Sequence, residues 1–265
     1  MMKMILDEIA AKTVERTAEE KKKMPLAAVR REAESMDANT GFPFERALAA
    51  DGLGFICEVK KASPSKGLIA EDFDFVSIAK DYEKAGAAAI SCLTEPYWFK
   101  GADEYLTEIT KNVSIPVLRK DFTVDEYMIY RAKVMGASAV LLICAILSQK
   151  QLNEYYNIAK SLGLSALVEA HDEKEIDMAL DCGAKIIGVN NRNLKDFTVD
   201  INNSINLRKL VPNDVIYVSE SGMKTHEDIA RLYKNGVNAV LIGETLMRSS
   251  DKKAMLSELA RGCGR

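Results

Sequence analysis

Glycine, a small residue or two, then an apolar run: this order recurs in AGAAAISCLTE at Gly86, MGASAVLLICA at Gly136, CGAKIIGVNN at Gly183 and NGVNAVLIGE at Gly236, about 50 residues apart. Glycine just past an amphipathic helix is a common left-handed C-terminal cap, and the apolar run after it reads as a strand. Four more strand candidates fall between these joints: GFICEVK near Ile56, IPVLRK near Val117, LSALVEA near Leu167 and VIYVSES near Ile216. The intervening segments have helical period, and several open with capping-box spacing, as from Thr123 to Glu126, Ser148 to Gln151 and Asp172 to Glu175. The strands are continuously apolar rather than alternating, which predicts parallel strands covered by helices on their outer face.

At about 25 residues per strand–helix unit, a chain of 265 residues fits an α/β fold of the closed (β/α)8 TIM-barrel type. An open doubly wound sheet predicts a glycine-rich turn after the first strand, where this chain has KKASPSKG. Residues 1–48 are charged and carry Met4, Ile5, Ile9 and Ala10 at helical spacing. They predict extra N-terminal helices laid across the barrel, so that 1–265 forms one barrel domain with a helical extension.

Composition removes several classes of function. With 48% apolar and 28% charged residues the chain is ordinary globular material. No apolar stretch approaches the roughly 20 residues that cross a bilayer, and the start lacks a signal-peptide core, which predicts a cytoplasmic protein with no membrane partner. Five cysteines without CxxC spacing and only two histidines argue against a disulfide framework or a multi-histidine metal centre. A formal net charge of −3 disfavours nucleic acid as a partner, although a local basic pocket is compatible with it.

The informative charges lie where strands end, which in this fold is where active sites are built. Those positions are Glu58 and Lys60, Glu95, Arg119 and Lys120, Glu169, Asn190 and Arg192, Glu220 and Ser221, and Gly243 with Glu244. An unpaired buried charge is unfavourable by on the order of several kcal/mol, so charges clustered at so many strand ends point to chemistry. Side chains alternate between faces, which puts Glu58 with Lys60 and Asn190 with Arg192. The last two βα loops, VSESGM and LIGETLM, place glycine and serine where backbone N–H groups receive an anion. His171 and His226 stand beside helix starts and read as local structural residues.

The segments EVKKASPSKG, LTEPYWFKG, PVLRKDF, LVEAHDE, GVNNRNLKDFTVD, VSESG and IGETLM together resemble the indole-3-glycerol-phosphate synthase family of tryptophan biosynthesis. EVKKASPSKG and GVNNRNL carry most of the specificity. Glu244 stands where the family admits serine or alanine, which leaves phosphate binding intact if a backbone N–H is the ligand. The resemblance implies ring closure of 1-(2-carboxyphenylamino)-1-deoxyribulose 5-phosphate to indole-3-glycerol phosphate with loss of carbon dioxide and water. It implies no cofactor or metal and specifies no protein partner; the partner is a small phosphorylated substrate.

On that resemblance Lys120 looks like the general acid toward the ketone oxygen, and Lys60, Glu58 and Glu169 match the acid and base of dehydration. Glu169 also suits positive charge on the anilino nitrogen, Asn190 orients hydroxyls, and Glu220 holds a lysine or a water. Arg192, aided by Ser63, suits the benzoate carboxylate. Ser221, Gly222, Gly243 and Glu244 are the phosphate candidates, and Trp98, Phe99 and Phe122 are candidate walls for the aromatic ring. A Schiff-base aldolase using Lys60 or Lys120 and a non-catalytic phosphosugar-binding barrel remain the competing readings.

The KASPSKG loop has the Pro, Ser, Gly and Lys content of a moving cover. Tryptic cleavage at Lys61 or Lys66 is expected to slow when a substrate analogue is bound; equal rates with and without it would contradict a closing loop.

Overall fold

The computed structural model describes residues 5–193 and 197–264, so Met4 and the 194–196 part of the GVNNRNLKDFTVD motif lie outside the described residues. Three helices come first: α1 (Ile5–Lys23), α2 (Leu26–Ser35) and α3 (Pro43–Leu48). The barrel strands follow as β1 (Gly54–Val59), β2 (Ala89–Leu93), β3 (Val117–Lys120), β4 (Ala139–Ile143), β5 (Ser165–Ala170), β6 (Ile186–Asn190), β7 (Ile216–Glu220) and β8 (Ala239–Ile242). Between and after them run α4 (Phe75–Lys84), α5 (Asp103–Asn112), α6 (Glu126–Val134), α7 (Gln149–Ser161), α8 (Glu173–Asp181), α9 (Asn202–Arg208), α10 (His226–Lys234), α11 (Glu244–Arg248) and α12 (Lys252–Ala260). The eight strands are parallel, each pairs with its sequence neighbours, and β1 pairs with β8 to close the barrel. The (β/α)8 fold predicted from the glycine rhythm is the fold observed.

Each repeated glycine ends a helix in the same way. At Gly86 the backbone turns left-handed (φ 93°), its N–H bonds the Glu83 carbonyl at 3.0 Å, and the Ala87 N–H reaches back to Tyr82 at 3.0 Å. The paired bonds recur after Gly136, Gly183 and Gly236. This two-bond stop leads the chain directly into the next strand. Helix starts are equally local: Ser148 and Gln151 form a full capping box on α7, and Asp172 accepts from the Glu175 N–H on α8. On α6 the expectation fails, because Asp125 rather than Thr123 caps the helix, accepting from the Tyr127 N–H at 2.9 Å. Asp125 directly precedes the first helical residue, so its carboxylate reaches the free N–H groups that Thr123 is too far back to meet.

Strand parity sorts the core into two layers. Ile56, Leu118, Leu141, Leu167, Ile186, Val218 and Leu241 point into the barrel, where Phe44 and Leu48 of α3 join the same cluster. The alternate residues, among them Cys57, Ile90, Val140, Val168, Ile187 and Val240, pack outward against the helices. Register then lifts the polar strand ends into one ring: Glu58 lies beside Ser91, Leu93 beside Lys120, Ile143 beside Glu169, and Asn190 beside Glu220. No helix among the described residues is long and apolar enough to cross a membrane.

Phe44 is fully buried in the inner core while Val14 on α1 is 54% exposed. Replacing Phe44 by Ala is expected to lower stability in denaturant unfolding by about 3–5 kcal/mol. Val14→Ala is expected to stay within about 0.5 kcal/mol of the parent.

Candidate active site

Above the apolar floor made by Leu141, Ile143 and Leu241 opens a cavity of about 910 Å³. Its wall includes Glu58, Lys60, Ser63, Lys120, Glu169, Asn190, Arg192, Glu220, Ser221, Gly222, Gly243 and Glu244, so the residues singled out at the strand ends share one space. Helix α1 covers part of the mouth with Ile5, Leu6 and Ile9.

The centre of this space is Lys120. Its ammonium lies 3.5 Å from Glu169 and 3.6 Å from Glu220, and both carboxylates are almost completely buried. Burial works against charge on the lysine, but the fields of Glu220, Glu169 and Glu58 more than compensate and hold its pKa above the ordinary value. The two carboxyls are driven apart. Burial raises Glu169, yet Lys120, His171 and the Asn190 amide, 3.3 Å from Oε1, outweigh it and hold the group below the usual range. For Glu220 burial wins over Lys120, and the nearby Glu169 and Glu58 add to the rise. Its Oε1 is buried with no hydrogen-bond partner among the described residues. The two carboxyls that face one lysine thus have their pKa values pushed in opposite directions.

A second pair sits beside this centre. Lys60 Nζ and Glu58 Oε1 are 2.5 Å apart at the end of β1. Both press on Gly243: a Cβ there would stand 2.8 Å from Lys60 Nζ and 2.5 Å from Glu58 Oε1. The loop after β7 contributes two successive left-handed residues, Ser221 (φ 66°) and Gly222 (φ 95°). Ser221 carries the strain of that conformation as a non-glycine residue, a feature that gathers at functional sites. A side chain at Gly222 would collide with Val199. Glu244 opens α11, bonds Arg248 at 3.1 Å and stands 3.8 Å from Lys66 of the KASPSKG loop. That loop folds into a small antiparallel pair, Ala62–Ser63 with Gly67–Leu68, and borders the cavity through Ser63, Pro64, Ser65 and Lys66.

Asn190 also orders the next turn, its side-chain oxygen accepting from the Arg192 N–H at 3.0 Å. The Arg192 guanidinium donates to the Phe197 carbonyl at 3.4 Å and is half-buried at the cavity edge.

Some strand-end expectations are corrected. Glu95 does not line the cavity; its carboxylate accepts from the backbone N–H groups of Tyr97, Trp98 and Phe99 at 2.8–2.9 Å and so builds the loop. Arg119, one residue from Lys120 and therefore on the opposite face, bonds Asp103 at 2.8 Å and the Met128 carbonyl at 2.8 Å outside the barrel. Phe99 and Phe122 border the cavity with ring centroids 6.0 Å apart, whereas Trp98 packs edge-on to Tyr97 away from it.

Two contributors escape a reading by motif. Gly188 on β6 leaves the space that Glu220 fills, since a Cβ there would collide with Glu220 Oε1. Its signal was a lone glycine inside an apolar strand, which marks close approach. His171, read as structural, places Nε2 3.5 Å from Glu169 Oε1.

A family model described as indole-3-glycerol phosphate synthase matches residues 6–259. The chain is 58% identical over 256 residues to the indole-3-glycerol phosphate synthase of Ruminiclostridium cellulolyticum, covering 97% of this chain and 98% of that relative. It is 56% identical over 256 residues to the enzyme of the same name from Endomicrobium trichonymphae, covering 97% and 99%. Among solved structures, a 3-hexulose-6-phosphate synthase superposes with a TM-score of 0.63 over 78% of this chain and 98% of that one; at 14% identity this likeness shows the fold alone. The chain belongs to the indole-3-glycerol phosphate synthase family, the decarboxylating, ring-closing lyases of tryptophan biosynthesis.

Proposed function

We propose that this barrel closes the ring of 1-(2-carboxyphenylamino)-1-deoxyribulose 5-phosphate with Lys120 as general acid, in the cytoplasm and with the N-terminal helices and barrel acting as one domain. The observation that carries the assignment is the place of Lys120, an ammonium between two buried carboxylates in the cavity wall. As the aromatic carbon attacks the ketone, negative charge grows on the ketone oxygen. A positioned ammonium stabilises that charge and delivers the proton. Glu169, ionised and free of bulk water, balances positive charge on the anilino nitrogen in the same step.

Departure of carbon dioxide restores the ring electrons, and the new hydroxyl then leaves as water. That step requires a proton on the departing oxygen and a base for the remaining ring proton. The Glu58–Lys60 pair and Glu169 supply them, while Asn190 orients the sugar hydroxyls. Glu220, whose carboxyl is pushed up by burial, stands 3.6 Å from Lys120 and keeps it in place. The substrate is anionic at both ends. Arg192 and Ser63 suit the benzoate carboxylate, and the backbone N–H groups around Ser221, Gly222, Gly243 and Glu244, with Lys60 above them, suit the phosphate. Phe99 and Phe122 give the aromatic ring apolar walls.

Fluorescence detection of indole formation tests the central assignment. Lys120→Ala is expected to lower kcat by roughly 100- to 10,000-fold, and full activity in that variant would remove Lys120 from the role. Gly188→Ala, which displaces the Glu220 carboxylate without touching substrate, is expected to lower kcat roughly a hundredfold with the barrel still folded by circular dichroism.

A further inference from the structure

We propose that His171 is a positioning residue for Glu169: an imidazolium anchored by Glu175 outside the cavity, which keeps the Glu169 carboxylate ionised and sets the lower pH bound of activity. The proposal rests on the reading of Glu169 as a working carboxylate.

The geometry of the ring carries it. His171 follows β5 by one residue and does not line the cavity. Its backbone N–H donates to Glu175 Oε2 at 2.8 Å, its carbonyl accepts from Asn203 Nδ2 at 3.1 Å, and its Nδ1 lies 3.1 Å from Glu175 Oε2. With its backbone held at two points and its ring at Nδ1, the residue aims Nε2 toward Glu169. Nε2 is buried, lacks a hydrogen-bond partner among the described residues, and faces Glu169 Oε1 at 3.5 Å. Lys120 approaches the other oxygen of the same carboxylate, Oε2. Both ring nitrogens therefore face carboxylate oxygens. A neutral imidazole has one N–H and would turn a lone pair toward one of them; the protonated ring satisfies both.

Acidic groups outnumber cations around the ring. Glu169 on β5, Asp172 and Glu175 at the start of α8, and Glu220 on β7 are acidic; the Cys144 thiol, whose Sγ donates to the Glu175 carbonyl at 3.5 Å, is kept neutral by burial. Lys120 on β3 is the opposing cation and faces Glu169 from the cavity side. Burial of the imidazole disfavours its charge, but the bond to Glu175 and the field of Glu169 outweigh it and hold its pKa above the ordinary histidine value.

The sign of the coupling follows. An imidazolium next to Glu169 stabilises the ionised carboxylate and lowers its pKa. Removing that charge raises the carboxyl, so the form with Glu169 ionised is lost at a higher pH as the solution is acidified.

With only two histidines in the chain, a His226→Gln background isolates the His171 resonances for an NMR titration. In that background His171 is expected to titrate above an ordinary histidine, and to fall by about one pH unit in Glu175→Gln and in Glu169→Gln. His171→Gln keeps a hydrogen-bonding group but no charge, and is expected to move the acidic limb of kcat/KM up by about one pH unit, with the plateau rate largely retained. A titration unchanged by Glu169→Gln, or a folded His171→Gln enzyme with the parent's acidic limb, overturns the proposal. Should His171→Gln fail to fold, the two glutamine variants decide by NMR alone. Full turnover by Glu169→Gln would remove the working role of that carboxylate, a failure separate from the His171–Glu169 coupling that the titration reads.

Discussion

An ammonium held inside a barrel is tolerable only because carboxylates come with it. Lys120 and its two buried glutamates are mutually dependent: lysine alone or glutamate alone would be an uncompensated charge, unfavourable by on the order of several kcal/mol. The inner ring gathers two lysines, Lys60 and Lys120, with the carboxyls of Glu58, Glu169 and Glu220, and burial pushes Glu220 toward its neutral form. The cluster is then close to neutral before substrate arrives. It stays so because the apolar floor of Leu141, Ile143 and Leu241 keeps water from one side and α1 covers part of the other.

The barrel provides this arrangement by parity. A single strand can carry a residue for the site and a residue for the shell in adjacent positions, as Lys120 and Arg119 do. Arg119 spends its charge on Asp103, which also bonds Arg131 at 3.1 Å, so the arginine ties β3 to α5 and α6 rather than to the substrate. Directly after Lys120, Asp121 takes two bonds from Arg16 of α1 at 2.9 and 3.0 Å and one from Thr94 at 2.6 Å. The helix that roofs the cavity is therefore fastened to the strand that bears the central lysine.

Much of the scaffold was legible because its signals are local. Gly86 and its counterparts announce helix ends through a conformation glycine adopts without steric penalty, and Ser148 with Gln151 announces a helix start through a hydrogen bond spanning three residues. Inward phase on β1 followed from Glu58 and Lys60 being two apart. Where spacing left two acceptors in competition, as with Thr123 and Asp125, the motif chose wrongly. Glu95 failed for a different reason: its three backbone partners lie in the loop that follows it, and nothing in the residue type distinguishes a loop-building carboxylate from a catalytic one.

The alternation of strand and helix, the closed barrel, the strand ends that carry charge and the family motifs can all be read along the chain, because period, caps and residue spacing act over a few residues. Which charge meets which is settled only when the barrel closes. That Lys120 lies between Glu169 and Glu220, that Gly188 exists to leave room for a carboxylate on the next strand, and that His171 looks at Glu169 while anchored to Glu175 are facts of register and burial. They join positions far apart in the chain, and charge and pKa depend on distance through space and on exclusion of water.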